Sequence, residues 1–381
     1  MMPHVAQVKP FFAPISIFLL NLATRLVYFF RFGVRDGGDS WFYLHNAQTI
    51  LDHVGNPLPL LEQGIYPYYW LYPFFLIVFQ LHTPTVILTQ VILQSLAAVL
   101  LYKIGKKLWS GPVGFIAGVA YAFLFEVFQW DLYILTDSFY LAMMIASVYA
   151  VMVAIEKKTL VAWLLPTISM LGLFLLRPTS VVYLASVGFL GAMPMPARFR
   201  LYVAALALVA AILSGWYLTA FGSQKAFGVA YSVYYYKDLL RQGVVVRDRP
   251  EYTLALGWDS HVSVKNFLLT ASLLEHRAVA FWRFYIPAHS FNHRIVNLFT
   301  FVPLYGLALV GGMRSFLGKQ FDQRKAFLGI IILAYWVFQT LTEVDYDWRY
   351  RIPILPWVLL FAAAGAVVVF ERIKHNGKLA L

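Results

Sequence analysis

The chain has 381 residues, of which 61% are hydrophobic and only 13% are charged. Ordinary soluble domains carry roughly a quarter charged residues, so this composition excludes a soluble fold and predicts an integral membrane protein. The net charge of +12 comes from Lys and Arg spread over many short loops, which argues against a nucleic-acid surface. The chain has no cysteine, so disulfides and thiolate metal sites are excluded.

Apolar segments recur along the whole chain, and many approach the ~20 residues that a helix needs to cross the bilayer. We therefore predict an all-α polytopic membrane protein, a single domain over 1–381 that forms a bundle of about ten transmembrane helices. The predicted spans cover residues 11–31, 85–104, 113–129, 137–155, 160–176, 178–193, 201–221, 296–313, 326–342 and 353–371.

The short apolar segment 66–81 decides the predicted topology. If it spans the membrane, the loops rich in Lys and Arg face outward, against the positive-inside rule. If it only dips into the outer leaflet, these loops lie in the cytoplasm together with both termini. We prefer the second arrangement, which places the first loop 32–84 and the long loop 222–295 on the external face. The long loop is interpreted as a cap or acceptor groove.

The first external loop carries two acids, Asp36 and Asp39, beside a pair of glycines. Apolar residues recur at steps of three and four over 41–54, which predicts an amphipathic juxtamembrane helix. Asp39 or Ser40 would lie at its N-terminus, where a side-chain oxygen can cap free backbone N–H groups. Asp39 therefore has two interpretations, a structural cap and a functional acid.

Three further motifs lie at the predicted external ends of spans, namely Thr136-Asp137, Arg177-Pro178 and Arg349-Tyr350-Arg351. Asp137 can be a helix cap, an acid that orients an acceptor, the partner of an arginine, or an oxygen ligand of a divalent cation. Capping combined with orientation is the preferred interpretation. His289 and His293 are four residues apart but lack the further ligands that a zinc site needs, so we predict no metal site.

In this order the motifs resemble those of the GT-C glycosyltransferases, membrane enzymes that take a sugar from a polyprenyl-phosphate carrier. Protein O-mannosyltransferases and lipid A aminoarabinose transferases are members. The first loop is similar in having an acid, an aromatic residue and an alanine one turn apart, at Asp39, Tyr43 and Ala47. An aromatic element beginning at Tyr66, the Thr-Asp turn, the Arg-Pro corner and the Arg-Tyr-Arg-x-Pro-x-x-Pro run at 349–356 complete the resemblance.

The resemblance implies a GT-C-like bundle and sugar transfer with inversion, on the external face of a bacterial or archaeal plasma membrane. It implies Asp39 as general base, with Asp36 as the rival acid. The implied substrate-binding residues, whose arginines would hold the lipid phosphate, are Tyr43, Tyr66, Asp137, Arg177, Arg349 and Arg351. The implied partners are a polyprenyl-phosphate-linked sugar, a lipid or glycan acceptor rather than a folded protein, and membrane lipids. No nucleic acid or cofactor is required, and a divalent cation is not indicated.

Other classes of membrane protein remain as alternatives. A transporter or flippase for a lipid-linked substrate would also be polytopic, but it usually places ionisable groups at the middle of the membrane. The predicted spans are nearly free of charge, and Arg25 and Glu126, the main exceptions, lie near span ends. A surface-glycan polymerase or ligase, and a non-catalytic subunit of a larger complex, are the remaining alternatives.

Overall fold

The computed structural model describes residues 12–53, 69–159, 161–177, 179–192, 275, 277–286, 289–317, 322–342 and 348–377. Within these ranges the chain is helical apart from short connections, and an isolated parallel bridge joins Arg35 to Tyr133. The predicted all-α membrane fold is therefore confirmed. The predicted span 201–221 and most of the long loop 222–295 lie outside the described residues.

The chain divides into two compact units. The first comprises Met1–Ser180, Thr300–Ala326 and Leu355–Leu381, and the second comprises Val181–Phe299 and Phe327–Ile354.

The helices up to residue 180 all belong to the first unit: α1 Phe12–Phe32, α2 Ser40–Asp52, α3 Leu71–Val78, α4 Thr83–Leu108, α5 Gly111–Ala122, α6 Phe125–Phe128, α7 Thr136–Lys157 and α8 Leu164–Leu176. Short 3-10 helices at Gln129–Leu132 and Val161–Trp163 precede α7 and α8. The later helices are α9 Ser180–Ala192, α10 Phe291–Phe316, α11 Gln323–Thr342 and α12 Leu355–Gly377, and a 3-10 helix at Trp348–Ile354 leads into α12.

Five helices in the described part of the chain are long and apolar enough to cross a membrane: Phe12–Phe32, Thr83–Leu108, Thr136–Lys157, Phe291–Phe316 and Arg349–His375. A bent pair, α5 with Phe125–Leu132, would make a sixth. Many large apolar side chains on these helices are exposed, including Val27, Phe30, Phe299 and Leu309. Such a surface suits hydrocarbon, and helices can face lipid because their backbone groups are hydrogen-bonded internally.

The predicted span 113–129 is not one continuous helix. The helix stops after Ala122, resumes at Phe125, and bends by 55° between the two parts. Leu124 at the break has φ −77° and ψ 86°, which is not a helical conformation. The apolar pattern runs through this break without interruption, so hydropathy alone could not have shown it.

The short helix α3 supports the interpretation that segment 66–81 does not cross the bilayer. Its eight residues cover about 12 Å at 1.5 Å per residue, well short of ~30 Å of hydrocarbon. The chain then turns through Gln80 and Leu81, both with positive φ, and α4 begins at Thr83. This turn ends the apolar segment before a span can form.

The first unit has two chemically different ends. Helix α7 has Asp137 in its first turn and Lys157 in its last, and at 1.5 Å per residue they are roughly 30 Å apart, about the thickness of the hydrocarbon core. At the basic end, Glu156 pairs with both Lys107 and Arg324. Three loops that we predict to be cytoplasmic therefore meet at one end, and the opposite end holds the polar motifs.

Helices α10 and α12 cross in the first unit with their backbones in close contact. A Cβ atom at Gly311 would collide with the carbonyl oxygen of Phe361, and one at Gly365 would collide with that of Leu307. Lipid offers no hydrophobic drive between helices, so this kind of close packing through small residues is an important source of helix association in membranes.

We expect Gly311→Ala to lower the unfolding temperature of the detergent-purified protein, because the added methyl group forces α10 and α12 apart. Gly306→Ala is the matched control on the same helix, since a Cβ there meets nothing within 4 Å. That control should be neutral or gain up to about 1 kcal/mol from helix propensity. Equal unfolding temperatures for the two variants would contradict the close crossing.

Candidate active site

A tight turn builds the start of α2. The Ser40 N–H donates to the Gly37 carbonyl at 3.0 Å, and the Gly37 N–H donates back to Ser40 Oγ at 2.8 Å. Asp39 occupies the N-cap position, but its side chain makes no capping hydrogen bond. The interpretation of Asp39 as a structural cap is therefore wrong, and Ser40 stabilises the turn instead. Asp39 and Asp36 are both exposed.

The predicted amphipathic helix over 41–54 corresponds to α2. Its buried face consists of Ser40, Tyr43, Asn46, Ala47, Thr49 and Ile50. Ala47 and Ile50 are buried on this face, whereas Leu51 is exposed. Tyr43 is buried because α2 packs its polar and aromatic residues against the bundle.

The loop before α2 lies against the turn before α7. The Arg35 N–H donates to the Leu132 carbonyl at 2.9 Å, and a Cβ atom on Gly37 would lie 3.1 Å from Leu135 Cδ1. Two motifs separated by about a hundred positions are thus adjacent in space. The N-termini of α2 and α7 consequently face the same region.

Thr136 connects three elements at this point. Its hydroxyl accepts a hydrogen bond from Arg177 Nε at 2.6 Å and lies 3.5 Å from the Tyr43 hydroxyl. Arg177 follows the last residue of α8, Tyr43 lies in α2, and Thr136 is the first residue of α7. The cluster therefore joins the first loop, the Thr-Asp turn and the Arg-Pro corner.

Asp137 forms an ion pair with Arg177, with 2.8 Å between Oδ2 and Nη2. Its side chain is 1% exposed and that of Arg177 is 15% exposed. Among the described residues neither Asp137 oxygen makes a directional hydrogen bond, so the contact is one of charge. No side chain caps α7, whose N-cap residue is Leu135. The predicted capping by Asp137 is wrong because its carboxylate turns towards Arg177.

Tyr43 lies within the field of the charged residues around it. Burial raises the pKa of the Tyr43 phenol, the Arg177 charge and the Thr136 hydrogen bond oppose that rise, and Asp137 and Asp39 add to it. The phenol therefore stays protonated at neutral pH and can serve as a hydrogen-bond donor. The charges of Arg177, Asp137 and Asp39 all influence the Tyr43 hydroxyl, so the three residues surround the same group.

Helix α3 supports Tyr43 from the side. The Tyr72 ring meets the Tyr43 ring edge-on, with 5.1 Å between centroids, and the Tyr72 hydroxyl donates to Gln90 Oε1 at 2.7 Å. The described part of the aromatic segment thus packs beside the cluster. Tyr66, the residue that we predicted to bind substrate from this segment, lies outside the described residues.

A buried polar network around Arg25 and Asp131 was not predicted from the sequence. Arg25 Nε lies 2.7 Å from Asp131 Oδ2, and Arg25 Nη1 donates to Asn21 Oδ1 at 2.8 Å. Both charged side chains are at most 1% exposed. A signal was present, because Asn21 and Arg25, and likewise Gln90 and Gln94, are polar residues four apart in apolar spans.

Arg349 and Arg351 belong to the second unit. Arg351 is buried, and its Nη1 donates to the Arg283 carbonyl at 2.6 Å, while Arg349 is partly buried. This bond ties the start of Arg349–His375 to the end of the long loop. Also in this unit, the rings of His289 and His293 stack with 3.8 Å between centroids.

Known proteins resemble the chain in sequence and in fold. Residues 67–219, less than half of the chain, match the family described as dolichyl-phosphate-mannose-protein mannosyltransferase. No curated protein matches significantly. The matched segment contains Thr136, Asp137 and Arg177 and does not reach Asp39.

The fold is similar to the crystal structure of the Archaeoglobus fulgidus oligosaccharyltransferase in the apo form, with a TM-score of 0.58 and 14% sequence identity. The similarity covers 97% of this chain and 51% of that protein, so the chain spans about half the length of the oligosaccharyltransferase. Together with the family match over 67–219, this likeness in fold supports the resemblance to GT-C glycosyltransferases that the order of motifs indicates.

We expect Asp137→Asn to destabilise the protein, because Asn retains any capping ability but leaves the Arg177 charge without its partner. The loss should be about 1.5–3 kcal/mol, as for hydrogen bonds and contacts to charged groups. Asp36→Asn, at an exposed position, should stay within about 0.5 kcal/mol of the parent. Thermal unfolding in detergent compares them, and equal stability of both variants would show that the Asp137–Arg177 pair contributes nothing.

Proposed function

We propose that the protein transfers a sugar from a polyprenyl-phosphate carrier to an acceptor hydroxyl at the external face of a bacterial or archaeal plasma membrane. The mannosyltransferase family match and the oligosaccharyltransferase fold support a membrane glycosyltransferase with a lipid-linked donor. One observation carries the assignment of roles. Asp131 and Asp137 are buried inside the bundle, whereas Asp39 is exposed at the start of α2.

Asp39 is the proposed general base. The acceptor oxygen attacks the anomeric carbon from the side opposite the bond to phosphate, so the sugar is transferred with inversion. Asp39 takes the acceptor proton as the new C–O bond forms. The bond from the anomeric carbon to the phosphate oxygen breaks, and its electron pair leaves with polyprenyl phosphate. General-base catalysis of this kind contributes about 10²–10⁴-fold.

The arginines divide into two groups in this proposal. The charge of Arg177 is shared with Asp137, so we assign this pair, with Tyr43, to orienting the acceptor. Arg349 and Arg351 would hold the donor phosphate, for which the planar, permanently charged guanidinium is well suited. Tyr66 and the loop 222–295 would complete the substrate surface, and the acceptor would be a lipid or glycan. No cofactor enters these steps.

The buried acidic and basic residues of the first unit favour chemistry over transport. Among its described residues they are Arg25, Glu126, Asp131 and Asp137. All four lie at or near the end of the bundle that carries the Thr136 cluster, and Arg25 is neutralised by Asp131. A transport pathway would instead place such groups along the middle of the membrane.

The sharpest test of the proposal is Asp39→Asn. Asn is nearly isosteric with Asp but cannot accept a proton at neutral pH. We expect unchanged thermal stability and donor binding, and a loss of transfer of about 10²–10⁴-fold. Release and transfer of sugar are followed by mass spectrometry with a panel of polyprenyl-phosphate-linked sugars.

Asp36→Asn is the matched control, since Asp36 is an equally exposed acid in the same loop. It should retain full activity. If Asp36→Asn is inactive and Asp39→Asn is active, the base is Asp36. Full activity of both variants would refute catalysis by this loop.

The proposed external face is tested by single cysteines, because the natural chain has none. We expect an impermeant maleimide added to intact cells to label Gly38→Cys and Gln48→Cys, which lie at exposed positions by the site. Lys106→Cys and Lys157→Cys, exposed at the basic end, should react only after the membrane is permeabilised. The reverse pattern would place the site in the cytoplasm.

A further inference from the structure

The ion pair of Arg25 and Asp131 has no assigned part in the proposed transfer, and both side chains are at most 1% exposed. Stability alone is a weak explanation for it. Removing two charges from water costs several kcal/mol per ion, and buried pairs can often be replaced by apolar residues without loss of stability. The contacts of Asp131 indicate what else the pair does.

Asp131 uses both of its carboxylate oxygens. Oδ2 faces Arg25 Nε, and Oδ1 accepts a hydrogen bond from Ser138 Oγ at 2.7 Å. Gln94 Nε2 donates to the Ser138 carbonyl at 2.5 Å, and Gln90 Nε2 donates to the backbone of the turn at Asp131. The turn and the first residues of α7 are therefore fixed from two helices.

Ser138 lies in the same helical turn as Thr136 and Asp137. Successive residues of an α-helix point about 100° apart, since 3.6 residues make one turn, so fixing Ser138 also fixes the directions of Thr136 and Asp137. Those two residues hold Arg177, and Thr136 also contacts Tyr43. The buried pair is thus linked to the cluster through one hydrogen bond.

We propose that the Arg25–Asp131 pair is a positioning device that, through Ser138, sets the rotation of the first turn of α7 and with it the orientation of Thr136, Asp137 and Arg177. This inference rests on the proposed sugar transfer and extends it to residues that do not touch substrate. Arg25 anchors Asp131, and Asp131 anchors Ser138. A displacement of about 1 Å in a positioning group can cost up to ~10²-fold in rate.

The test removes the device without leaving a buried charge. In the double variant Arg25→Met with Asp131→Leu, both ions are replaced by apolar groups, so we expect an unfolding temperature close to that of the parent. The kcat for transfer from undecaprenyl-phosphate mannose, with a cell-envelope lipid extract as acceptor, should fall about 10–10²-fold. The KM for this donor should stay unchanged, because Arg349 and Arg351 are untouched.

Ser138→Ala breaks only the link and keeps the ion pair. It should lower kcat in the same direction, leave the donor KM unchanged, and speed amide hydrogen exchange in the first turn of α7. The matched control is Lys107→Met with Glu156→Leu, which removes an ion pair at the opposite end of the unit and should leave kcat unchanged.

A folded Ser138→Ala protein with parental kcat and parental exchange at residues 136–138 would overturn the positioning role, even if the double variant fails to fold. If the parent transfers no sugar from any donor, the proposed function fails. The exchange measurement then still decides whether Ser138 fixes this turn.

Discussion

A charge inside a membrane bundle is stable only when an opposite charge or hydrogen-bond acceptors such as backbone carbonyls surround it, because lipid cannot solvate it. Arg25 in α1 sets this requirement, and Asp131 satisfies it. Asp131 lies just after the point where the chain bends by 55° away from the axis of α5. The turn that follows it lies against the first loop. The polar cluster is therefore built directly on the segment that the buried pair holds.

The acids in and around the cluster differ in their environments. Asp131 and Asp137 are buried and each faces an arginine, so their charges are used within the protein. Asp39 is exposed at the start of α2, which a hydrogen-bonded turn and a buried Tyr43 hold in place. The exposure of this acid on a fixed helix end is the basis of the proposed role of Asp39 as general base. Thr136, Asp137 and Arg177 lie within the family-matched segment 67–219, whereas Asp39 lies in the loop before it.

The sequence predicted the membrane fold, the amphipathic helix α2 and the proximity of the first loop to the Thr-Asp turn and the Arg-Pro corner. Loop charges, apolar periodicity and the order of motifs were enough for these three predictions, because each of them depends only on local sequence patterns or on topology. The roles of single polar residues were harder to predict. Asp39 and Asp137 both occupy positions typical of helix caps, yet neither side chain caps its helix. Ser40 makes the hydrogen bond that closes the turn before α2, and the carboxylate of Asp137 pairs with Arg177. Pairs such as Arg25 with Asp131 depend on tertiary packing, which no local pattern contains.

The proposed function requires that this end of the bundle breaks the bond between a sugar and its lipid phosphate. The most direct measurement incubates the purified protein in liposomes with a panel of polyprenyl-phosphate-linked sugars and follows all lipid products by mass spectrometry. We predict that at least one donor yields free polyprenyl phosphate and an acceptor heavier by one sugar. Movement of an intact donor between leaflets, with no polyprenyl phosphate formed from any donor, would contradict it and identify a transporter.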